Sequence, residues 1–156
     1  MIKYSEGIPD LWDAEIHVKS KAELDATPSD AVALYTDDFV EGKVDLSRFT
    51  SLQHVRSHGA KITGLEHLTE LRQFAGYGKS STAEAMHACS GLEWADISHM
   101  YSEDLSAISP GCPLRYLDLS YSRRAKSLRG LKAFSDTLEV LKISTSKNID
   151  VESSVP

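Results

Sequence analysis

The stretch Leu114-Arg-Tyr-Leu117-Asp-Leu119 decides the fold, because the same six-residue phrase recurs along the chain. Six further copies, four clear and two weak, begin at Leu52, Leu71, Leu92, Leu138, Leu11 and Ala31. In chain order, the copies start 20, 21, 19, 21, 22 and 24 residues apart. A nearly constant period of this length is typical of stacked units, each of which buries its apolar side only against its neighbours.

Each phrase predicts a short strand with one buried face, because positions 4 and 6 are mostly apolar and position 5 is mostly polar. Further along each of five repeats comes an apolar pair three residues apart, which is typical of a helical or 3₁₀ turn. These pairs are Leu46 and Phe49, Leu65 and Leu68, Met86 and Cys89, Leu105 and Ile108, and Leu128 and Leu131. Segments 82–88 and 127–134 have the most helical character, and Ser102 is the expected N-cap before Glu103.

This arrangement resembles the leucine-rich repeat family over most of the chain, from about Leu11 to Ile149. The resemblance implies an α/β solenoid with about seven short parallel strands on one face and short helices or 3₁₀ turns on the other. It implies one leucine-rich-repeat-like domain over residues 1–156, with residues 1–10 as the N-terminal cap and residues 150–156 as the C-terminal tail. The alternative, a sheet with full helical crossovers, needs longer intervals than most of these.

The chain departs from the family pattern at position 9. The family has Asn or Cys there, and its side chain bonds to the neighbouring backbone. This chain instead has Ala60, Lys79, Met100, Ser122 and Ser146. Several core positions are also small, among them Ser57 and Gly76, so we expect the units to stack unevenly.

Composition limits the classes of function. With 156 residues, 41% hydrophobic residues and a formal charge of −6, the chain fits one globular domain. The negative charge disfavours nucleic acids and anionic membranes and would complement a basic protein. Cys89 and Cys112 are too few for a disulfide framework and are expected to be buried thiols. With neither a signal peptide nor a membrane-length apolar run, a cytoplasmic location is expected.

Positions 3, 5 and 7 of the strands should point outward in three columns. Eight residues from these columns form the predicted partner-binding site: Tyr35, His54, Arg56, Tyr77, Trp94, Asp96, Tyr116 and Asp118. Trp, Tyr and Arg are the residue types that dominate interface hot spots. The alternative is that Trp94 and Tyr116 only cover the sheet by packing on each other as neighbours across strands.

The hypothesis from sequence is therefore a non-enzymatic protein-binding module that uses the outer face of its sheet. Its small size and acidity suggest an immunity-type protein that neutralises a toxin. One alternative is an adaptor or a recognition fragment of a larger repeat protein, and another is a hydrolase that uses Asp96 and Asp118.

No metal or other cofactor is expected. His54 and His58 would lie roughly 13 Å apart along a strand, which is too far to share a metal ion. The segment Gly76-Tyr-Gly-Lys-Ser-Ser81 lacks the first glycine of a phosphate loop. The one basic cluster, residues 123–129, is either a contact for phosphate or acidic partners or a solvated loop. The C-terminal edge is expected either to pair with another molecule or to continue a longer array.

Overall fold

A computed structural model describes residues 8, 10–36, 39, 42–78, 82 and 86–150. The strands are β1 (Ile16–His17), β2 (Ala33–Tyr35), β3 (Lys43–Asp45), β4 (His54–Ser57), β5 (Lys61–Thr63), β6 (Gln73–Tyr77), β7 (Trp94–Ser98), β8 (Tyr116–Ser120) and β9 (Val140–Ser144). The helical elements are α1 (Lys21–Ala26) and the 3₁₀ helices η1 (Trp12–Ala14), η2 (Leu65–His67), η3 (Leu105–Ala107) and η4 (Leu131–Phe134). Within these ranges, no helix has the length and apolar character needed to cross a membrane.

Seven strands form one parallel sheet in the order β1-β2-β4-β6-β7-β8-β9. The residues at position 4 of the phrase pair in an unbroken row: Leu34, Val55, Phe74, Ala95, Leu117 and Leu141. The α/β class and the seven parallel strands are therefore confirmed. The assignment to a leucine-rich repeat solenoid stays a prediction, as does the division into cap, domain and tail.

The predicted alignment of the first copy is wrong by two residues. Ile16, rather than Ala14, pairs with Leu34, and Ala14 belongs to η1. Val18 then occupies the sixth position and is buried. The error arose because apolar residues at 14, 16 and 18 alternate equally well in either alignment, so alternation alone could not choose between them.

The core lies on the inner side of the seven-stranded sheet. Leu52, Leu71, Leu92 and Leu114, which begin four of the phrases, are fully buried, while Leu138 in the last copy is only partly buried. The five predicted apolar pairs also pack into this core, with Leu131 at its edge. Burial of these apolar side chains between neighbouring units is the main source of stability for strands and helices this short.

Some details of the helical side differ from expectation. The short parallel pair β3–β5, which joins Val44 to Ile62, was not predicted. The N-cap of η3 is Asp104, whose side chain accepts from the Ser106 amide, and not Ser102. Segment 82–88 lies partly outside the described residues, while η4 confirms helical structure at the end of segment 127–134.

Three consecutive turns after the strands share one backbone conformation. His99, Tyr121 and Thr145, all at position 8, have φ values of 54°, 52° and 52°. At position 9, the hydroxyl of Ser122 accepts from the Met100 amide at 3.0 Å, and that of Ser146 accepts from the Ser122 amide at 3.0 Å. These two serines thus bond the turn of one repeat to the backbone of the repeat before it.

The two cysteines are buried free thiols, as predicted. Burial raises the pKa of Cys89 to about 11, and the charge of nearby Cys112 adds to the shift. The pKa of Cys112 is also raised to about 11 by burial. Both groups are therefore protonated at neutral pH, which makes them poor nucleophiles.

The backbone of the preceding strand, β4, leaves no room for a side chain at Gly76. A Cβ at Gly76 would lie 2.3 Å from the carbonyl oxygen of Ser57 and 2.9 Å from the Phe74 ring. We expect Gly76→Ala to lower the free energy of unfolding by about 1–3 kcal/mol, since the strand must shift. Urea denaturation followed by circular dichroism measures this. Gly111→Ala is the matched control, because a Cβ there meets nothing within 4 Å; equal stability of the two variants would contradict the tight packing.

Candidate functional site

An N-terminal segment, defined as Ile8 and residues 10–15, packs on the outer face of the sheet. Ile8, Trp12 and Val140 cover a small second cluster formed by Ala75, Trp94 and Tyr116. The Trp12 ring meets the Trp94 ring edge-on, with 5.9 Å between centroids. The outer face near the N-terminal ends of the strands is therefore a second, smaller apolar core.

Glu15 attaches this segment to the sheet. Its carboxylate accepts hydrogen bonds from His54 Nε2 at 2.9 Å and from Arg56 Nε at 2.9 Å and Nη2 at 2.5 Å. The Glu15 side chain is only 2% exposed, and such a buried carboxylate requires these donors. The other His54 nitrogen lies 2.9 Å from Gln73 Oε1, so position 3 of two strands helps to hold the segment.

Three of the predicted partner-binding residues are not available to a partner in this structure. Trp94 is 3% exposed, Tyr116 is 5% exposed and His54 is fully buried. The prediction of an exposed aromatic surface was wrong because it assumed that nothing covered position 3. Trp94 and Tyr116 stack on each other with 5.3 Å between ring centroids, which agrees with the alternative that they cover the sheet.

Two further predicted residues are partly exposed but engaged beside the N-terminal segment. The Arg56 guanidinium lies 4.0 Å from the centroid of the Tyr35 ring and 4.7 Å from that of the Trp12 ring. Tyr35 also contacts His17, with 4.5 Å between their ring centroids. Tyr35 and Arg56 therefore pack on the part of the outer face that the N-terminal segment covers. Trp12 was placed at position 2 of the first phrase and was not predicted to cover the sheet.

The structure leaves the outer face partly exposed towards the C-terminal ends of the central strands. We define the open strip by the half-exposed residues of this region: His58, Tyr77, Asp96, Ser98, Asp118 and Ser120. It keeps three of the eight predicted site residues, namely Tyr77, Asp96 and Asp118. The Tyr77 ring stands edge-on to the His58 ring, with 5.7 Å between centroids. The Ser98 and Ser120 hydroxyls are 2.8 Å apart.

Asp96 and Asp118 are directly paired across β7 and β8. Burial, followed by the charge of Asp118, raises the pKa of Asp96, while His58 and Lys142 act in the opposite direction. Asp118 Oδ2 accepts a long hydrogen bond from the Tyr116 hydroxyl at 3.4 Å, and that hydroxyl accepts from Lys142 Nζ at 2.9 Å. The pair therefore concentrates negative charge on a partly exposed surface.

Comparison with known proteins does not assign this chain to a family, since no protein-family model, curated protein or solved structure matches it. In the part of the chain that is described, no three His, Cys, Asp or Glu residues form a group that could hold a metal ion.

The Glu15 contacts predict a large effect of removing one charge. We expect Glu15→Gln to lower the free energy of unfolding by about 3 kcal/mol, because Arg56 loses its buried counter-charge and an NH2 donor replaces one of the two acceptor oxygens. The measurement is urea denaturation followed by tryptophan fluorescence, which reports on Trp12 and Trp94. Glu66→Gln, at an exposed site in η2, is the control. A loss no larger than in this control would mean that Glu15 does not hold the segment.

Asp96 predicts a pH-dependent stability. Since its pKa is raised in the folded state, its contribution to stability is greatest below the unfolded value and is lost as the pH rises through the folded value. Asp96→Asn should therefore be more stable than the parent protein at pH 7, and this advantage should shrink as the pH falls towards 4. Thermal unfolding across this range measures the difference. Asp136→Asn, at an exposed position, is the control; an advantage independent of pH would refute the explanation.

Proposed function

We propose that this protein is a non-enzymatic, leucine-rich-repeat-like solenoid that binds a basic protein through its open strip. The observation that carries the proposal is the pairing of Asp96 with Asp118 on a half-exposed surface beside Tyr77. Two adjacent carboxylates repel each other, and a cationic side chain between them would relieve that repulsion. Aromatic rings next to such a contact would add apolar area.

Several features support the solenoid part of this proposal. Strands from successive phrases are neighbours in the sheet in chain order. The turn conformation at position 8 recurs three times. Ser122 and Ser146 bond to the backbone of the preceding unit at the position where the family has asparagine.

The cost of Asp96 to stability supports a role in binding. A partly buried acid with a raised pKa lowers the stability of the folded protein at neutral pH. Residues that oppose stability in this way are common at functional sites, where binding or catalysis compensates for them. Neutralisation of a toxin by occluding a basic surface is the form of binding that best fits the acidic strip and the net charge of −6.

Acid–base catalysis by Asp96 and Asp118 is the second candidate. The raised pKa of Asp96 favours it, because one of two adjacent carboxyls could retain a proton. Both aspartates lie half-exposed on one face of the sheet, a position that suits contact with a protein surface better than enclosure of a small substrate. We therefore favour protein binding.

Reversing the charge of the strip tests the proposal. We expect Asp96→Lys with Asp118→Lys to weaken binding of the native partner by at least about 100-fold, because a cationic contact becomes repulsive. The partner is captured from the native host with the parent protein, and its affinity is then measured by biolayer interferometry.

The matched control is Glu66→Lys with Glu70→Lys, which makes the same charge change at two exposed positions outside the strip. Circular dichroism checks that both variants fold. Equal affinity of the strip variant and the parent would refute the binding surface. Loss of a measurable hydrolytic turnover in Asp96→Asn, with partner affinity retained, would favour catalysis instead.

A further inference from the structure

The turns after β7 and β8 carry a second exposed surface, which we call the turn patch: Tyr101, Tyr121, Arg123 and Arg124. Tyr101 is 49% exposed and Tyr121 is 50% exposed, and both arginines are exposed. The Arg124 guanidinium lies 4.3 Å from the centroid of the Tyr101 ring. The Tyr121 ring stacks on His99 with 5.6 Å between centroids. Exposed tyrosine and arginine together are typical of binding surfaces.

The backbone of the turn patch is held from both sides. Ser122 and Ala125 are buried, and the Ala125 amide donates to the Ser122 carbonyl at 3.2 Å. The side chain of Asn148, from the following unit, donates to the Arg123 carbonyl at 2.6 Å. Arg123 and Arg124 therefore project from a short turn that is fixed at each end. Such pre-organisation lowers the entropy lost on binding.

Tyr121 occupies the same turn position as His99 and Thr145, which share its positive φ. Its φ of 52° lies in the left-handed region, which is uncommon for a bulky residue. The Tyr121 amide donates to the Ser144 carbonyl at 3.0 Å, and the Ser122 amide donates to Ser146. The repeated turn, held by these bonds, thus presents an aromatic ring to solvent at Tyr121.

The turn patch differs in its ion pairing from the basic residues that follow it. The basic residues that follow it are paired, Lys126 with Glu103 at 2.7 Å and Arg129 with Asp104 at 2.7 Å. Among the described residues, neither Arg123 nor Arg124 forms a salt bridge. Lys126 is also the main cause of the lowered pKa of Glu103, to which Arg124 contributes less. Within the part of the chain that is described, the two arginines are therefore solvent-exposed charges without an ion pair, in an acidic protein.

We propose that the turn patch binds a short acidic segment of a protein, through carboxylates held by Arg123 and Arg124 and apolar contact with Tyr101 and Tyr121. The planar guanidinium forks match carboxylates in two-point contacts. A nucleic acid fits less well, because a longer polyanion would extend beyond two arginines onto a chain whose formal charge is −6. The turn patch needs no contribution from the open strip, whose charge is opposite.

Titration with a defined probe tests this inference. An octaglutamate peptide is added to the ¹⁵N-labelled full chain in 20 mM NaCl, and amide shifts are followed by NMR. We expect saturable shifts confined to Tyr101 and residues 121–125. Raising the NaCl concentration to 150 mM should weaken binding several-fold, because exposed charges are screened. Arg123→Glu with Arg124→Glu should weaken binding at least tenfold.

The control for charge is Lys61→Glu with Lys132→Glu, at exposed positions outside the turn patch. Binding that persists in this control but not in the arginine variant supports the proposal. The absence of saturable shifts, or equal losses in both variants, would overturn it. Tighter binding of octathymidylate at the same residues would also overturn it and make the turn patch a nucleic-acid surface. Failure of the open strip in its own test would leave these outcomes unchanged.

Discussion

The constraint on which the structure depends is the common register of its parallel strands. Each strand is only a few residues long, so its apolar side chains are buried only when the next strand presents its own at the same height. A slip of one residue would turn the inward residues, such as Leu117 and Leu119, towards solvent. The same register brings Asp96 beside Asp118 and Ser98 beside Ser120. The strand register therefore determines both the packing of the core and the arrangement of the candidate surface.

The N-terminal segment then divides the outer face into two halves with different roles. Towards the start of the strands, Trp12 and Glu15 convert the outer surface into buried structure. Towards their ends, the face remains half-exposed and acidic, and the turns beyond it are aromatic and basic. A partner that met both areas would need cationic groups opposite Asp96 and Asp118 and carboxylates opposite the turn patch, which would fix its orientation.

The sequence predicted the elements that repeat and missed those that occur once. Apolar alternation located β2, β4 and β6 to β9, because each copy repeats the same burial. It could not place β1, where residues 14, 16 and 18 allow two alignments, and it gave no sign that Trp12 would cover Trp94. Periodicity reports which side of a strand faces the core, whereas a segment folding back over the other side depends on contacts distant in sequence. The serine contacts at position 9 were not predicted, because a repeat pattern does not show that a serine hydroxyl lies within reach of an amide in the preceding turn.

The most direct test of the common register is NMR detection of scalar couplings across backbone hydrogen bonds. We expect couplings from the Thr36 amide to the Arg56 carbonyl, from His99 to Ser120 and from Tyr121 to Ser144, since each amide donates to the carbonyl of the next unit that lies one phrase position earlier. Couplings that link these amides to residues in a shifted register, or to strands in another order, would contradict the shared alignment and both surfaces that depend on it.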